Sequence, residues 1–267
     1  MILSDCHMHT WFSKDSQADP EAMVKEAVNR GLKAVCFTDH EDKDYVFDGV
    51  EYIFDADEYF QTMRGLQEKY KNQIEIRIGV EIGFQPHLGG FYKEFTKSNP
   101  FDYVIGSVHN VGGKDPYLDD FFTGRTDAEC YRQTFEETLA DLKSIRDFDA
   151  LGHLDYVVRY GKNREKDYHI EAYKDIVEAI LRHLIEHGKG LELNMAGLKY
   201  GLPFAHPVPE VLKWYRELGG EIVTVGADAH KPEHIAYEYA KASEILKTCG
   251  FDYYTEFIGR NPVFRRI

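Results

Sequence analysis

The stretch Ser4-Asp5-Cys6-His7-Met8-His9-Thr10 ends the first apolar segment of the chain and distinguishes between two α/β architectures. An open dinucleotide-binding sheet carries a glycine-rich turn directly after its first strand, because glycine lets the backbone approach the pyrophosphate closely. Two histidines, His7 and His9, stand at that place instead. Side chains alternate along a strand, so both imidazoles point to the same face. The stretch therefore disfavours a nucleotide-binding sheet and predicts a strand end that carries paired imidazoles.

Strand-like and helical segments alternate along the rest of the chain. Apolar segments predict strands over residues 1–9, 34–40, 74–83, 102–109, 150–155, 190–195 and 221–230. Amphipathic segments between them predict helices over residues 21–30, 57–71, 127–145, 170–187, 207–218 and 233–248. Repeated strand–helix units imply a parallel sheet, and seven strands within about 230 residues fit a closed barrel. We therefore predict an α/β fold, a TIM-like (β/α)7 barrel forming a single domain over residues 1–267, with residues 250–267 as a tail that packs on the barrel.

The composition limits the classes of protein to which the chain can belong. Hydrophobic residues make up 43% of its 267 residues, which is enough for a large buried core. The 32 basic and 46 acidic residues give a net charge of −14, which argues against nucleic acid or an anionic membrane as a partner. The N-terminus has no signal-peptide pattern, and no apolar segment approaches membrane-spanning length. The four cysteines form no CxxC pair, so we expect reduced thiols and a cytoplasmic protein.

Histidines are concentrated at the ends of the predicted strands. Six of the twelve lie there, namely His7, His9, His40, His109, His153 and His230. Carboxylates take matching places, with Glu81 at the end of the third strand and Asp228 two residues before His230. The C-terminal ends of parallel strands open on one face of a barrel, so we expect these side chains to converge on one pocket. Imidazole and carboxylate ligands suit Zn, Mn or Fe, and Asp15 on the first loop is close enough to join them.

The remaining histidines need separate interpretation. The stretch His183-Leu-Ile-Glu-His187 matches an H-x-x-E-H metalloprotease pattern, but it lies at the end of an amphipathic helix, where cationic side chains meet the helix dipole favourably. We therefore assign no metal to it. His206 follows the sixth predicted strand on the same face as the strand-end histidines, which makes it a candidate for the site.

Six short motifs together resemble the PHP (polymerase and histidinol phosphatase) superfamily. They are Asp5-Cys6-His7-Met8-His9-Thr10, Phe37-Thr38-Asp39-His40, Gly79-Val80-Glu81, Ser107-Val108-His109, Gly152-His153-Leu154-Asp155 and Gly226-Ala227-Asp228-Ala229-His230. The stretches over residues 10–16 and 194–199 are similar to its histidinol-phosphatase branch. The resemblance extends from residue 5 to residue 230, which is most of the chain.

This resemblance implies a distorted (β/α)7 barrel with three divalent metal ions, drawn from Zn, Fe and Mn. The implied ligands are His7, His9, Asp15, His40, Glu81, His109, His153, Asp228 and His230. Glu81 would bridge two of the ions. All of these residues except Asp15 lie at or near the ends of predicted strands. The assignment of Asp15, on the first loop, depends mainly on the resemblance.

Three further residues complete the implied site. Arg159 is implied as a bidentate clamp on a phosphate group. Lys199 stands where relatives often have arginine. Lysine retains the positive charge but lacks the planar guanidinium that binds a phosphate through two donors. His206 is the expected proton donor to the leaving alkoxide, with an acidic group near the third metal as the alternative. The acidic residues Asp42 and Asp44, which follow the second predicted strand, are interpreted as an exposed loop.

The resemblance implies hydrolysis of a phosphate monoester, with L-histidinol phosphate as the substrate in histidine biosynthesis. The expected partner is this small phosphorylated substrate, with neither nucleic acid nor membrane, and the oligomeric state stays open. Three alternatives remain. They are a PHP-type phosphoesterase for another small monoester, an amidohydrolase-type metal hydrolase with one or two metals, and a polymerase-associated nuclease, which the net charge of −14 disfavours.

Overall fold

A seven-stranded parallel barrel forms the body of the chain in the computed structural model, which describes residues 1–267. The strands are β1 (Ser4–Asp5), β2 (Ala34–Phe37), β3 (His40–Phe47), β4 (Val50–Tyr52), β5 (Glu75–Gly83), β6 (Tyr103–Ser107), β7 (Ala150–Leu151), β8 (Gly190–Asn194), β9 (Val223–Gly226), β10 (Tyr253–Ile258) and β11 (Asn261–Arg266). The barrel wall follows the order β1-β2-β5-β6-β7-β8-β9, and every neighbouring pair is parallel. The predicted set of seven parallel strands is confirmed.

Helices alternate with the wall strands. They are α1 (Pro20–Asn29), α2 (Ala56–Tyr70), α3 (Gly89–Ser98), α4 (Asp119–Phe122), α5 (Asp127–Ser144), α6 (Lys174–Glu186), α7 (Ala196–Lys199), α8 (Pro209–Glu217) and α9 (Tyr239–Thr248). Short 3-10 turns lie at Pro86–Leu88, Tyr156–Tyr160, Arg164–Asp167, Ile170–Tyr173 and Pro232–His234. No helix has the length and apolar character needed to cross a membrane.

The barrel closes between β1 and β9 through a small number of main-chain bonds. The amide of Cys6 donates to the carbonyl of Val225 at 3.1 Å, and the amide of His9 donates to the carbonyl of Ala229 at 2.8 Å. Met8 and Ala229 form an isolated parallel bridge. The barrel wall is therefore nearly closed but irregular between β1 and β9. The predicted fold, an α/β barrel in a single domain, is confirmed.

A hairpin that was not predicted follows β2. The predicted strand 34–40 ends at Phe37, and His40 begins β3, where it pairs with Glu81 of β5. β3 then turns back into β4 through Asp48 and Gly49, which have φ values of 50° and 77°. Two consecutive residues with positive φ are typical of a tight two-residue hairpin turn. The hairpin rises from the C-terminal end of the barrel, beside the strand-end histidines.

Two predicted helices begin later than expected, for local reasons. The segment predicted over residues 170–187 starts as the 3-10 turn Ile170–Tyr173 before α6 begins. The segment predicted over residues 233–248 starts as the turn Pro232–His234, and α9 begins only at Tyr239. Glu238, the residue before α9, has a φ of 56°, which a continuous helix does not allow.

The C-terminal residues form the antiparallel hairpin of β10 and β11. Glu256 accepts a hydrogen bond from Arg77 at 2.8 Å, and the Phe257 ring stacks on Tyr103 with 5.1 Å between ring centroids. Arg77 and Tyr103 lie near the N-terminal ends of β5 and β6. The hairpin therefore packs at the end of the barrel opposite the strand-end histidines.

Candidate active site

The C-terminal ends of the wall strands surround one cavity of about 810 Å³. Seven of the nine predicted metal ligands line this cavity, namely Asp15, His40, Glu81, His109, His153, Asp228 and His230. The other two, His7 and His9, are fully buried directly against them. The barrel topology thus brings all nine residues together from both ends of the chain.

Glu81 stands at the centre of this cluster, and its two carboxylate oxygens face different histidines. Oε1 lies 2.9 Å from Nε2 of His153 and 3.3 Å from Nε2 of His109. Oε2 lies 3.1 Å from Nε2 of His7 and 3.3 Å from Nδ1 of His40. A carboxylate shared by two metal ions needs this division of its oxygens between two sets of ligands.

His9 also belongs to a group on the side of the cluster nearest the first loop. Its ring stacks on that of His230, with 4.1 Å between the centroids. Oδ2 of Asp15 lies 3.2 Å from Nε2 of His230 and 3.6 Å from Nε2 of His40. Oδ1 of Asp228 lies 3.5 Å from Nε2 of His9 and 3.3 Å from Nδ1 of His230. This group would complete a third ligand set.

The donor atoms fit divalent transition metals. Four sets of three ligand atoms lie within 4.8 Å of one another, namely His9 with His40 and His230, His7 with His9 and Glu81, His40 with Asp42 and His109, and Glu81 with His109 and His153. Nε2 of His7 lies only 3.0 Å from Nε2 of His9, and Nδ1 of His40 is buried without a hydrogen-bond partner. Divalent cations bound between these nitrogens would satisfy them. Imidazole and carboxylate without thiolate suit Zn, Mn or Fe.

The charges of the site oppose one another strongly. Burial lowers the pKa of His40, but the carboxylates around it, Asp15 first, raise that pKa to about 9. Burial raises the pKa of Glu81, but the neighbouring histidines, His7 first, hold it well below its ordinary value. Burial and the surrounding histidines together lower the pKa of His9 well below its ordinary value. The Glu81 carboxylate thus stays ionised at neutral pH, and its negative charge attracts cations.

Three of the histidines are oriented by groups that accept a hydrogen bond from Nδ1, and none of these acceptors was predicted from the sequence. Nδ1 of His7 lies 2.6 Å from Oε1 of Glu192, a fully buried residue of β8. Nδ1 of His109 lies 2.8 Å from Oδ2 of Asp42. An Nδ1–H that donates to a carboxylate fixes the ring and leaves Nε2 free to bind a metal. In the sequence, Glu192 could have been recognised as a candidate because it is a carboxylate inside an otherwise apolar predicted strand.

The third histidine, His9, is oriented through a serine. Its Nδ1 lies 2.9 Å from Oγ of Ser13, which in turn donates to Oδ1 of Asp39 at 2.8 Å. The same carboxylate accepts the amide of Thr10 at 2.6 Å and the amide of Ser13 at 3.0 Å. The buried Asp39 therefore holds the first loop, and with it Asp15, against the cluster.

The acidic pair after β2 differs from the expected exposed loop. Asp42 is buried on β3 and pairs with His109. Only Asp44 is exposed, and its Oδ2 lies 2.9 Å from Nε2 of His87. The difference arises because β3 continues past His40 as a strand, which buries Asp42. Its register with β4 then shifts between Asp42 and Val46, and Asp44 lies in this irregular stretch with a φ of 61°.

Arg159 faces the cavity, as the sequence analysis expected. Its guanidinium lies 4.7 Å from the ring centroid of Tyr200 and 5.3 Å from those of Tyr156 and Tyr160. It forms no ion pair, and its buried Nε has no hydrogen-bond partner. Three aromatic faces stabilise a guanidinium without neutralising it, so its charge stays available to an anion.

Lys199, predicted to contact the phosphate, binds main-chain carbonyls instead of facing the cavity. Its Nζ donates to the carbonyl of Asp228 at 2.5 Å and to the carbonyl of Ala227 at 3.3 Å, and it does not line the cavity. A lysine has the length to turn onto nearby carbonyls, and as a compact charge it does not need a planar partner. The ammonium therefore binds the main chain that follows β9.

His206 is fully buried and likewise does not line the cavity. Its Nδ1 lies 2.6 Å from Oδ1 of Asp155, whose Oδ2 accepts the amide of Val208 and the hydroxyl of Tyr168, both at 3.0 Å. Burial lowers the pKa of His206, which favours the neutral ring, and the contact with the Asp155 carboxylate places the remaining proton on Nδ1. Its Nε2 is left as an unpartnered acceptor.

A family model and several known proteins match the chain. The PHP domain model matches residues 5–196. The histidinol-phosphatase of Lactococcus lactis subsp. lactis (strain IL1403) is 33% identical over 96% of this chain and 94% of its own length. A probable histidinol-phosphatase of Thermotoga maritima is 32% identical over 93% of each chain. The crystal structure of the Lactococcus lactis histidinol phosphate phosphatase, complexed with zinc, L-histidinol and phosphate, matches with a TM-score of 0.89 and 32% identity over 98% of this chain and 99% of the other.

Proposed function

Because this chain belongs to the PHP domain family, we propose that it is a metal-dependent phosphomonoesterase that hydrolyses L-histidinol phosphate to L-histidinol and phosphate in histidine biosynthesis. The observation that carries the proposal is the cluster of nine convergent ligands beside the unpaired guanidinium of Arg159 in one cavity. Similarity to histidinol-phosphatases over nearly the whole chain supports the same substrate.

We propose that three divalent ions, drawn from Zn, Fe and Mn, occupy the cluster. The ligands would be His7, His9, Asp15, His40, Glu81, His109, His153, Asp228 and His230, with Glu81 shared by two ions. When bound, such ions supply a water of lowered pKa and positive charge beside the phosphoryl oxygens. The protein's own contribution is to hold each Nε2 in place, through Glu192 behind His7 and Ser13 behind His9.

Arg159 binds and orients the phosphate in this proposal. Its guanidinium offers paired donors to two phosphoryl oxygens, and the surrounding tyrosines exclude water from it. In the transition state the negative charge is spread over the three equatorial phosphoryl oxygens, and a guanidinium that is already held in place stabilises this arrangement.

The part of the cavity wall around Asp115 differs from the metal cluster and suits the organic part of the substrate. Asp115 is the cavity carboxylate that is neither a predicted ligand nor paired with a histidine. It accepts the hydroxyl of Tyr45 and, at 2.7 Å, the amide of Tyr117. Phe47 lies beside them on the same cavity. L-Histidinol carries an ammonium and an imidazole, and a carboxylate among aromatic faces attracts both groups. This wall supports histidinol phosphate over an uncharged sugar or glycerol phosphate.

We propose a positioning role for His206. A general acid needs a proton on the nitrogen that faces the leaving oxygen, and this ring holds its proton toward Asp155. The buried pair instead ties the turn before Val208 to the turn after β7.

We also place the enzyme in the cytoplasm. Its four cysteines are all buried and unpaired, which agrees with a reducing compartment.

The test is phosphate release after reconstitution with Zn, Mn or Fe. We expect kcat/KM for L-histidinol phosphate to exceed that for glycerol phosphate, glucose 6-phosphate and p-nitrophenyl phosphate by at least about tenfold. A higher value for another ester would identify the chain as a phosphoesterase for a different monoester. Metal analysis that finds one or two ions per chain, with no phosphate release, would instead favour an amidohydrolase-type enzyme.

A further inference from the structure

Two arginines without a carboxylate partner line the cavity. Besides Arg159, the cavity contains Arg164, which forms no ion pair and has a buried Nε without a hydrogen-bond partner. In a chain with a net charge of −14, carboxylates are plentiful, yet neither guanidinium is neutralised. Guanidinium groups left free in a cavity are suited to an anionic ligand, because they match its oxygens with paired donors.

The loop that carries Arg164 is held firmly in place. Both carboxylate oxygens of Asp127 accept main-chain amides, from Lys162 at 3.1 Å and from Asn163 at 2.8 Å. Gly161 packs so closely on Tyr131 that an added Cβ would lie 2.0 Å from the tyrosine hydroxyl. Arg164 itself has a φ of 51°, an unfavourable value for a residue other than glycine. Strained backbone of this kind persists where the surrounding contacts impose it, often at ligand sites.

The side chain of Arg164 reaches the same part of the cavity as that of Arg159. Its Nη2 donates to the carbonyl of Tyr200 at 2.7 Å, while the ring of Tyr200 lies 4.7 Å from the guanidinium carbon of Arg159. One tyrosine therefore contacts both arginines, by its carbonyl and by its ring. This contact uses one of the Arg164 donors and leaves the others for a ligand.

Lys199 has the opposite arrangement, since its ammonium is occupied by main-chain carbonyls. Asp228, one of the two residues whose carbonyls it binds, has a φ of 52°. This strained turn presents the side chains of Asp228 and His230 to the cluster. An ammonium bonded to the carbonyls of Ala227 and Asp228 stabilises the turn.

We propose that Arg164 supplies the second cationic contact to the phosphate, and that Lys199 is a positioning residue for the turn that carries Asp228 and His230. The inference rests on the proposed phosphatase function, since it concerns how the phosphate is held. It assigns the two tasks of binding phosphate and supporting the strand end to two different cations.

The first test measures binding of inorganic phosphate to the metal-loaded enzyme by titration calorimetry, with the metal content determined in parallel. We expect Arg164→Met to raise the Kd of phosphate by about tenfold or more, as the loss of a charge-assisted hydrogen bond predicts, with unchanged metal content. Arg164→Lys should show a smaller increase. Arg182→Met, at an exposed arginine of α6, is the matched control and should bind phosphate as the wild type does. Wild-type affinity in Arg164→Met would overturn the proposal. Lys231 also lines the cavity, and a larger loss of phosphate affinity in Lys231→Met than in Arg164→Met would overturn it as well.

The second test concerns Lys199. We expect Lys199→Met to lower the metal content after dialysis and to lower kcat more than it raises KM, because the ligands Asp228 and His230 lose their support. Lys199→Arg should restore the metal content. Full metal content together with weakened phosphate binding in Lys199→Met would show that Lys199 contacts phosphate, which overturns its assignment.

Failure of the proposed function is recognised separately. Phosphate binding is measured on the product, without turnover of any ester. If L-histidinol phosphate is not hydrolysed but Arg164→Met still weakens phosphate binding, the substrate assignment fails and the role of Arg164 stands. If the ester is hydrolysed but Arg164→Met binds phosphate normally, the substrate assignment stands and the role of Arg164 fails.

Discussion

At the scale of single residues, Glu81 determines whether the cluster can act as a unit. Oε1 faces two histidines and Oε2 faces three, and each oxygen has one of them at 3.1 Å or less. We expect Glu81→Ala to abolish both metal retention and phosphate release, because two ligand sets lose a shared member. Metal analysis after dialysis and a phosphate assay measure the two effects. Glu94→Ala, at an exposed residue of α3, is the control. Full metal content with retained activity would contradict the bridging assignment.

His206 gives a second prediction at this scale. Its fully buried pair with Asp155 supports two turns but does not face the cavity. We expect His206→Asn to leave kcat for the phosphate ester within about threefold of wild type and to lower the free energy of unfolding by about 1–3 kcal/mol, the cost of disturbing a buried charged hydrogen bond. A fall in kcat of about a hundredfold without loss of stability would support a proton donor instead.

At the scale of elements, the C-terminal hairpin is joined to the barrel by a buried ion pair. Arg77 and Glu256 have side-chain exposures of only 3% and 5%. Glu256→Gln leaves the guanidinium partly uncompensated, so we expect the free energy of unfolding to fall by about 3 kcal/mol with kcat unchanged. Glu75 also contacts Arg77 but is half exposed, and Glu75→Gln should cost less than about 1 kcal/mol. Equal losses in urea denaturation of the two variants would contradict this explanation.

Helix α5 contains a buried carboxylate with no partner, Asp141. Burial, and to a lesser extent Glu137, raises its pKa to about 7. The folded protein therefore keeps a proton that the unfolded chain releases above about pH 4, so stability falls as the pH rises from there toward 7. We expect Asp141→Ala to remove this loss.

Denaturation at two pH values tests this expectation. The stability of Asp141→Ala relative to wild type should increase by about 2 kcal/mol between pH 5 and pH 8. Glu136→Ala, on the exposed face of the same helix, is the control and should show no such change. A pH-independent difference between Asp141→Ala and wild type would mean that Asp141 does not titrate as proposed.

At the scale of the whole molecule, the proposed metal ligands join distant parts of the barrel. They come from the first loop and from strand ends all around the wall, including the irregular seam between β1 and β9. Ions that bind only the folded chain stabilise it by mass action. We expect a strong chelator to lower the Tm by about 10 °C and abolish phosphate release, and added Zn or Mn to restore both. Glu81→Ala should show no metal-dependent change in Tm.

The barrel and most of its site were predictable because both depend on short-range patterns. Alternation of strands and helices predicts a parallel wall, and polar residues at strand ends then share one face. The prediction failed where an element lacks a pattern of its own. The β3–β4 hairpin follows directly after a strand end, and its inward-facing Asp42 was therefore interpreted as part of an exposed loop.

The sequence by itself determined which end of the barrel the strand-end histidines share and which of them converge on the cavity, since periodicity and order suffice for that. Only the tertiary structure decided what each side chain contacts. Glu192 lies behind His7, Lys199 turns onto the carbonyl of Asp228, and Arg164 enters the cavity. These contacts join residues far apart in the chain, and whether a charge meets a ligand, a partner or the main chain depends on packing that no local pattern records.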